Sequence, residues 1–92
     1  MPEVHVRLRW PDGVVQTVYS PSLVVTERFD EGSSHPVEEF VPRMGEALAE
    51  ASDRVRAAYG FPCYRAAASW QQVRLRAAEN GTGEVVVEAF ER

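Results

Sequence analysis

The sequence contains no lysine, and several kinds of chemistry depend on that amine. All ten basic residues are arginine. A lysine amine forms the Schiff bases of many covalent enzymes and binds phosphates in Walker-type loops. Both mechanisms are therefore excluded. The fourteen acidic residues give a net charge of -4, opposite in sign to the field that binds nucleic acid, so we predict no nucleic-acid partner.

Long apolar segments and paired cysteines are also missing. No run of apolar residues exceeds three, whereas a membrane-spanning helix needs roughly 18. The single cysteine, Cys63, excludes an internal disulfide. The first residues carry neither the basic nor the apolar segment of a signal peptide. We therefore expect a cytoplasmic protein that does not span a membrane.

What the sequence does contain is the composition of one small globular domain. The chain has 92 residues, of which 45% are hydrophobic and 26% charged. This length gives room for one core, and this composition is that of a folded chain. We predict a single domain over residues 1–92.

Three strands are predicted in the first third of the chain. Apolar and polar residues alternate from Val4 to Trp10, and Pro11-Asp12-Gly13 then favours a tight turn. A return strand, Val14–Tyr19, is rich in β-branched residues and is ended by Ser20-Pro21-Ser22. The β-branched and aromatic content of Leu23–Phe29 predicts a third strand at the edge of the sheet.

A long amphipathic helix is predicted next. Its start is expected near Ser34 or His35, because Pro36 suits a first helical position, and its end at Gly60. Pro42 would interrupt such a helix. We therefore expect either a kink at Pro42 or a later start.

A second helix, Tyr64–Glu79, has two apolar sides. One side holds Tyr64, Ala68, Leu75 and Ala78, and the other holds Ala66, Trp70, Val73 and Ala77. A final strand, Glu84–Phe90, reads as interior to the sheet. The order β-β-β-α-α-β predicts an α+β fold, with an antiparallel sheet of three to four strands and two helices packed on one face.

Few residues suggest catalysis, and the sequence favours a non-enzymatic protein. Cys63 precedes a helix whose amides could activate a thiol, and His35 could act as its base, so both are weak catalytic candidates. A small buried hydrophobe is the simpler role for Cys63. His5 and His35 have no partner at metal-ligand spacing. We predict no metal and no cofactor.

The second helix also suggests a contact surface. Because it is apolar on two sides, one side can pack on the core while the other faces a protein partner or a second copy of the chain. Tyr64, Trp70 and Val73 are the candidate interface residues. Self-association into a homo-oligomer or binding of another protein is therefore expected, and a small-molecule ligand stays open.

Several short strings resemble one known family along nearly the whole chain. They are Arg9-Trp10-Pro11-Asp12-Gly13, Tyr19-Ser20-Pro21-Ser22-Leu23-Val24-Val25, Pro36-Val37-Glu38-Glu39-Phe40-Val41, Ala51-Ser52-Asp53-Arg54-Val55-Arg56, Tyr59-Gly60-Phe61-Pro62-Cys63 and Val85-Val86-Val87-Glu88-Ala89-Phe90. Together they are similar to the small bacterial nitrogen-starvation-response proteins encoded in gene clusters with a nitrilase. That resemblance implies an accessory or regulatory protein of nitrile utilisation, and it supplies no catalytic residues.

Two other functions stay open from the sequence. The order of elements is similar to that of HicB-type antitoxin domains, which bind a small RNA-cleaving partner, although the strings do not match. A thiol-dependent enzyme using Cys63 is the other alternative.

Overall fold

The fold is a four-stranded antiparallel sheet with helices on one face. The computed structural model describes residues 3–61 and 64–92. Its elements are β1 (Val4–Arg9), β2 (Val15–Ser20), α1 (Val24–Arg28), β3 (Ser34–Pro36), α2 (Val37–Tyr59), α3 (Tyr64–Asn80) and β4 (Glu84–Glu91). The strand order is β2-β1-β4-β3, so β4 is interior, as predicted. The predicted α+β class is confirmed.

The β1–β2 hairpin is confirmed almost residue for residue. Gly13 adopts a φ of 89°, and its N–H donates to the Trp10 carbonyl at 2.8 Å. Asp12 accepts a hydrogen bond from the Val14 N–H at 3.0 Å. These are the bonds expected of an Asp-Gly turn, because a short carboxylate can satisfy the backbone and glycine tolerates a positive φ.

The prediction of a third strand over Leu23–Phe29 is wrong, because Val24–Arg28 forms the short helix α1. The preceding turn redirects the chain. Ser20 Oγ donates to the Ser22 carbonyl at 2.8 Å, and Ser22 Oγ accepts from the Val24 N–H at 3.2 Å. Ser22 therefore accepts a hydrogen bond from one of the backbone amides that have no partner within the helix at its start.

Burial of two apolar residues one turn apart explains why this segment is helical. Val25 in α1 and Phe29, the residue that follows α1, are both in the core, because one helical turn brings positions i and i+4 to the same side. Alternation would have put Glu27 on the same side as both. The β-branched composition favoured a strand, but such propensities yield to the environment that the fold provides.

The long helix begins later than position 34 or 35. Ser34–Pro36 instead forms the edge strand β3, which pairs with β4, and α2 starts at Val37 and continues through Pro42 to Tyr59. The start is thus slightly later than expected, but Pro42 still lies inside the helix. A proline in this place leaves the carbonyl four residues earlier without its helical donor. Gly60 ends the helix with a φ of 85°, as predicted.

The core lies between the sheet and the helices. It is built from alternate residues of the central strands and from the inward sides of the helices. Its largest fully buried side chains are Trp10, Phe40, Leu8, Met44 and Leu48. In the described part of the chain, no helix is both long and apolar enough to cross a membrane.

Candidate functional site

An apolar groove runs between α2 and α3. It encloses about 440 Å³, which is within the range of pockets that bind small molecules or peptide side chains. Its lining residues are Pro42, Gly45, Glu46, Leu48, Ala49, Ser52, Ala66, Ala67 and Trp70. Because alanine, glycine and serine supply most of this lining, the two helices leave open space between them.

Contact between Gly45 and Trp70 sets the width of the groove. A Cβ atom added at Gly45 would lie 2.8 Å from two atoms of the Trp70 ring. The indole therefore packs directly on the backbone of α2, which only glycine permits at this distance. Leu48, 2% exposed, forms the floor beside this contact.

The groove has one charged group at its rim. Among the described residues that line it, Glu46 is the single charged one, and its side chain is exposed. Pro42 lies one turn earlier on α2 and presents an apolar ring. An apolar floor with one acidic group at its edge suits an apolar segment that carries a basic group.

The three predicted interface residues occupy three different environments. Tyr64 is 79% exposed, at the start of α3. Trp70 is half-buried and forms one wall of the groove. Val73 is 0% exposed and belongs to the core, so it is not accessible to a partner. The helix side that carries Trp70 and Val73 faces the molecule, and the side that carries Tyr64 faces outward.

Other exposed aromatic residues lie near the junction of α2 and α3. Tyr59 is 56% exposed and Phe61 is 59% exposed, close to Tyr64 in sequence. Sequence reasoning missed the α2 side of the groove. The available signal was the recurrence of small residues, Gly45, Ala49 and Ser52, at steps of four and three along one side of the helix.

His35 lies in β3, and its ring contacts both polar and aromatic neighbours. Arg43 lies 3.3 Å from Nδ1, and Ser33 Oγ lies 2.9 Å from Nε2. Because a guanidinium can only donate, Nδ1 is the acceptor and Nε2 carries the proton. Ser33 Oγ in turn donates to the Asp30 carbonyl at 2.6 Å. The ring also lies edge-on to Phe29, with centroids 5.3 Å apart. The His35 nitrogen that faces Ser33 therefore carries a proton and cannot act as a base towards it.

The other candidate for catalysis, Cys63, lies outside the described residues, so a thiol function stays a prediction. His35 precedes α2 and Gly60 follows it. The length of this 23-residue helix, about 34 Å, therefore separates His35 from Gly60. Within residues 3–61 and 64–92, no group of three His, Asp or Glu side chains could hold a metal ion.

Comparison with known proteins identifies a family. Residues 5–90 match the family model described as nitrogen starvation-induced protein NitG. Since this match covers nearly the whole chain, the chain belongs to that family. No curated protein and no solved structure matches the chain.

Proposed function

We propose that this member of the nitrogen starvation-induced NitG family is a non-enzymatic binding protein, whose α2–α3 groove receives an apolar segment of a partner protein. The groove itself carries the proposal. It is about 440 Å³ in volume, and its walls are fixed by the Gly45–Trp70 contact rather than by mobile polar side chains. A preformed apolar site binds with little ordering of its own residues.

The contacts of His35 support a binding role over an enzymatic one. Its Nδ1 accepts a hydrogen bond from Arg43, and its Nε2–H donates one to Ser33. Neither nitrogen offers a lone pair to a substrate in this arrangement. The imidazole ring of His35 instead links β3 to α2 through its contact with Arg43.

The nature of the partner follows from the family and from the groove. Resemblance of the short strings to proteins encoded with a nitrilase supports that enzyme, and the other products of its gene cluster, as the first partners to examine. Glu46 at the rim favours a segment with an arginine or lysine beside its apolar residues.

Pairwise binding of purified proteins tests this function. Each product of the nitrilase cluster is titrated against the wild-type chain and against Ala49→Arg, which places a long charged side chain in the groove. Binding is expected for at least one product, and Ala49→Arg is expected to weaken it about 100-fold. Ala57→Arg, on an exposed position of α2 outside the groove lining, is the matched control.

Two results contradict the proposal. One is that no product of the cluster binds the wild-type chain at any accessible concentration. The other is that a product binds wild type and Ala49→Arg with equal affinity, because the groove would then have no part in recognition. Circular dichroism of each variant checks that the helices are intact.

A further inference from the structure

The outward side of α3 carries five residues at a spacing suited to helix pairing. Tyr64, Ala68, Gln71, Leu75 and Ala78 follow one another at steps of four, three, four and three, and all five are exposed. Tyr64 is 79% and Leu75 58% exposed. Alternate steps of three and four keep residues along one line of a helix. None of the five is charged, and they are called the α3 stripe below.

We propose that the α3 stripe is the interface of a homodimer, in which two copies of α3 pack antiparallel about a two-fold axis at Gln71. A two-fold interface uses the same patch on both copies, so the patch must be complementary to itself. The stripe meets this condition in side-chain size, in polarity and in the charges at its ends.

Side-chain sizes in the stripe are complementary under this two-fold axis. Tyr64 and Ala78 each lie seven residues from Gln71, while Ala68 lies three before it and Leu75 four after it. Antiparallel packing therefore sets Tyr64 against Ala78 of the second copy and Leu75 against its Ala68. Each large side chain meets a small one, which is how facing helices interdigitate without voids.

The central residue and the ends of the stripe define the register and direction. Gln71 meets Gln71 of the second copy, and two amides can bond to each other, as polar residues do when they fix the register of helix pairs. Arg65 and Glu79 flank the two ends, seven residues to either side of Gln72. Antiparallel packing brings Arg65 close to Glu79 of the second copy, whereas parallel packing would bring each of these charges beside its own counterpart.

These charged residues keep their present contacts in the dimer. The Arg65 guanidinium carbon lies 3.7 Å from the centroid of the Tyr19 ring. Glu79 accepts a hydrogen bond from Arg76 at 3.0 Å. Both interactions lie beside the stripe residues rather than among them. The charge complementarity between the helix ends therefore does not require either interaction to break.

The extent of the stripe sets the expected strength of the dimer. Its fourteen residue steps span about 21 Å of helix. One helix pair of this length buries less than the roughly 1,200 Å² of the smaller stable interfaces. We therefore expect a dimer that dissociates at about micromolar concentration. The groove uses other residues of α3, namely Ala66, Ala67 and Trp70, so dimerisation and the proposed function can fail separately.

Sedimentation velocity of the full chain, from about 1 to about 500 µM, tests the dimer. Wild type is expected to shift from monomer to dimer over this range. Ala68→Glu and Leu75→Arg, both on exposed positions, are each expected to weaken dimerisation about 100-fold. Ala57→Arg, exposed on α2 and outside the stripe, should leave it unchanged.

A mixture of the two single variants tests the antiparallel register. At concentrations where Ala68→Glu and Leu75→Arg chains are each monomeric alone, the mixture should form a heterodimer, since opposite charges then face each other at one of the two contacts. A chain carrying both substitutions should dimerise with itself for the same reason. The proposal is overturned if wild type stays monomeric throughout, if Leu75→Arg dimerises like wild type, or if the mixture stays monomeric.

Discussion

The two sides of α2 are packed with residues of different size. Towards the sheet, Phe40 lies edge-on to Trp10 with ring centroids 6.0 Å apart, and tilted against Phe29 at 5.2 Å. Phe40 is 0% exposed and Trp10 is 1% exposed. Interlocked rings of this kind bury a large apolar area for each residue.

Towards α3, the same helix presents glycine and alanine. Gly45 and Ala49 face Ala66 and Trp70, and the result is the groove. Small residues bury little area, so this side contributes less to stability while it leaves room for another molecule. One side of α2 therefore stabilises the fold, and the other side forms the candidate site.

Loss of the ring at the centre of the large-residue side should give the largest effect. Phe40→Ala removes contacts with the rings of Trp10, Phe29 and His35 and leaves a cavity in the buried core. We expect it to lower the free energy of unfolding by about 3–5 kcal/mol, enough to unfold much of a small domain. Urea denaturation followed by circular dichroism measures this.

Phe61→Ala is the control, because it deletes the same ring where it is 59% exposed. Its effect should stay within about 0.5 kcal/mol. Equal effects at the two positions would contradict the assignment of stability to the sheet side of α2.

The hairpin end of the sheet should show the next largest effect. Gly83 has a φ of 107°, and a Cβ there would lie 2.8 Å from Cβ of Pro11. Gly83→Ala therefore combines backbone strain with a clash, and about 2–3 kcal/mol of destabilisation is expected. Gly81→Ala, with a φ of 67° and no atom within 4 Å, has the strain alone and should lose about 1 kcal/mol.

Thermal unfolding of the two glycine variants separates these contributions. If Gly83→Ala unfolds at the same temperature as Gly81→Ala, the packing of Pro11 on the α3–β4 loop does not contribute to the free energy of unfolding. The hairpin tip would then be joined to this loop chiefly by the hydrogen bond from Asp12 N–H to Asn80, which is 2.9 Å long.

On the small-residue side, whether a substitution at Gly45 stabilises or destabilises the protein should depend on Trp70. Gly45→Ala adds a methyl group 2.8 Å from the Trp70 ring and should destabilise by about 1–2 kcal/mol. In a Trp70→Ala background the clash is gone, and alanine should stabilise the helix by about 0.5–1 kcal/mol over glycine.

A double-mutant cycle in urea measures this reversal. The four proteins are wild type, each single variant and the double variant. A Gly45→Ala effect of the same sign in both backgrounds would mean that Trp70 does not set the spacing of α2 and α3.

Sequence patterns predicted the sheet better than the site, for physical reasons. Alternation from Val4 and the Asp12-Gly13 turn are local signals, so β1 and β2 could be placed from neighbouring residues alone. The groove depends on how α2 and α3 approach each other, which the sequence of neither helix determines. Trp70 was recognised as apolar, but its contact with Gly45 joins residues 25 positions apart.

The helical period also separated the two sides of α3 correctly, but not their roles. Tyr64 and Val73 were grouped as interface residues, whereas one is exposed and the other is in the core. Which apolar side faces inward is decided by the sheet and α2. Cys63 lies outside the described residues, and its reactivity therefore stays a prediction.

The smallest expected effect concerns the segment where β-propensity was misleading. Ser22 is 2% exposed, and its Oγ accepts from the Val24 N–H at 3.2 Å. Ser22→Ala leaves that amide without a partner at the start of α1, so about 1 kcal/mol of destabilisation is expected. Ser34→Ala, whose exposed hydroxyl donates to Glu84 at 3.2 Å, should change stability by less than about 0.5 kcal/mol.

Amide hydrogen exchange then localises the loss. The Phe29 N–H donates to the Val25 carbonyl at 3.2 Å, and this bond exists only while the turn of α1 is formed. In Ser22→Ala its exchange should accelerate about fivefold, consistent with the lost free energy if α1 opens locally. The β1 amides should keep their protection. Equal acceleration in both places would mean that Ser22 supports the whole fold and does not act through α1.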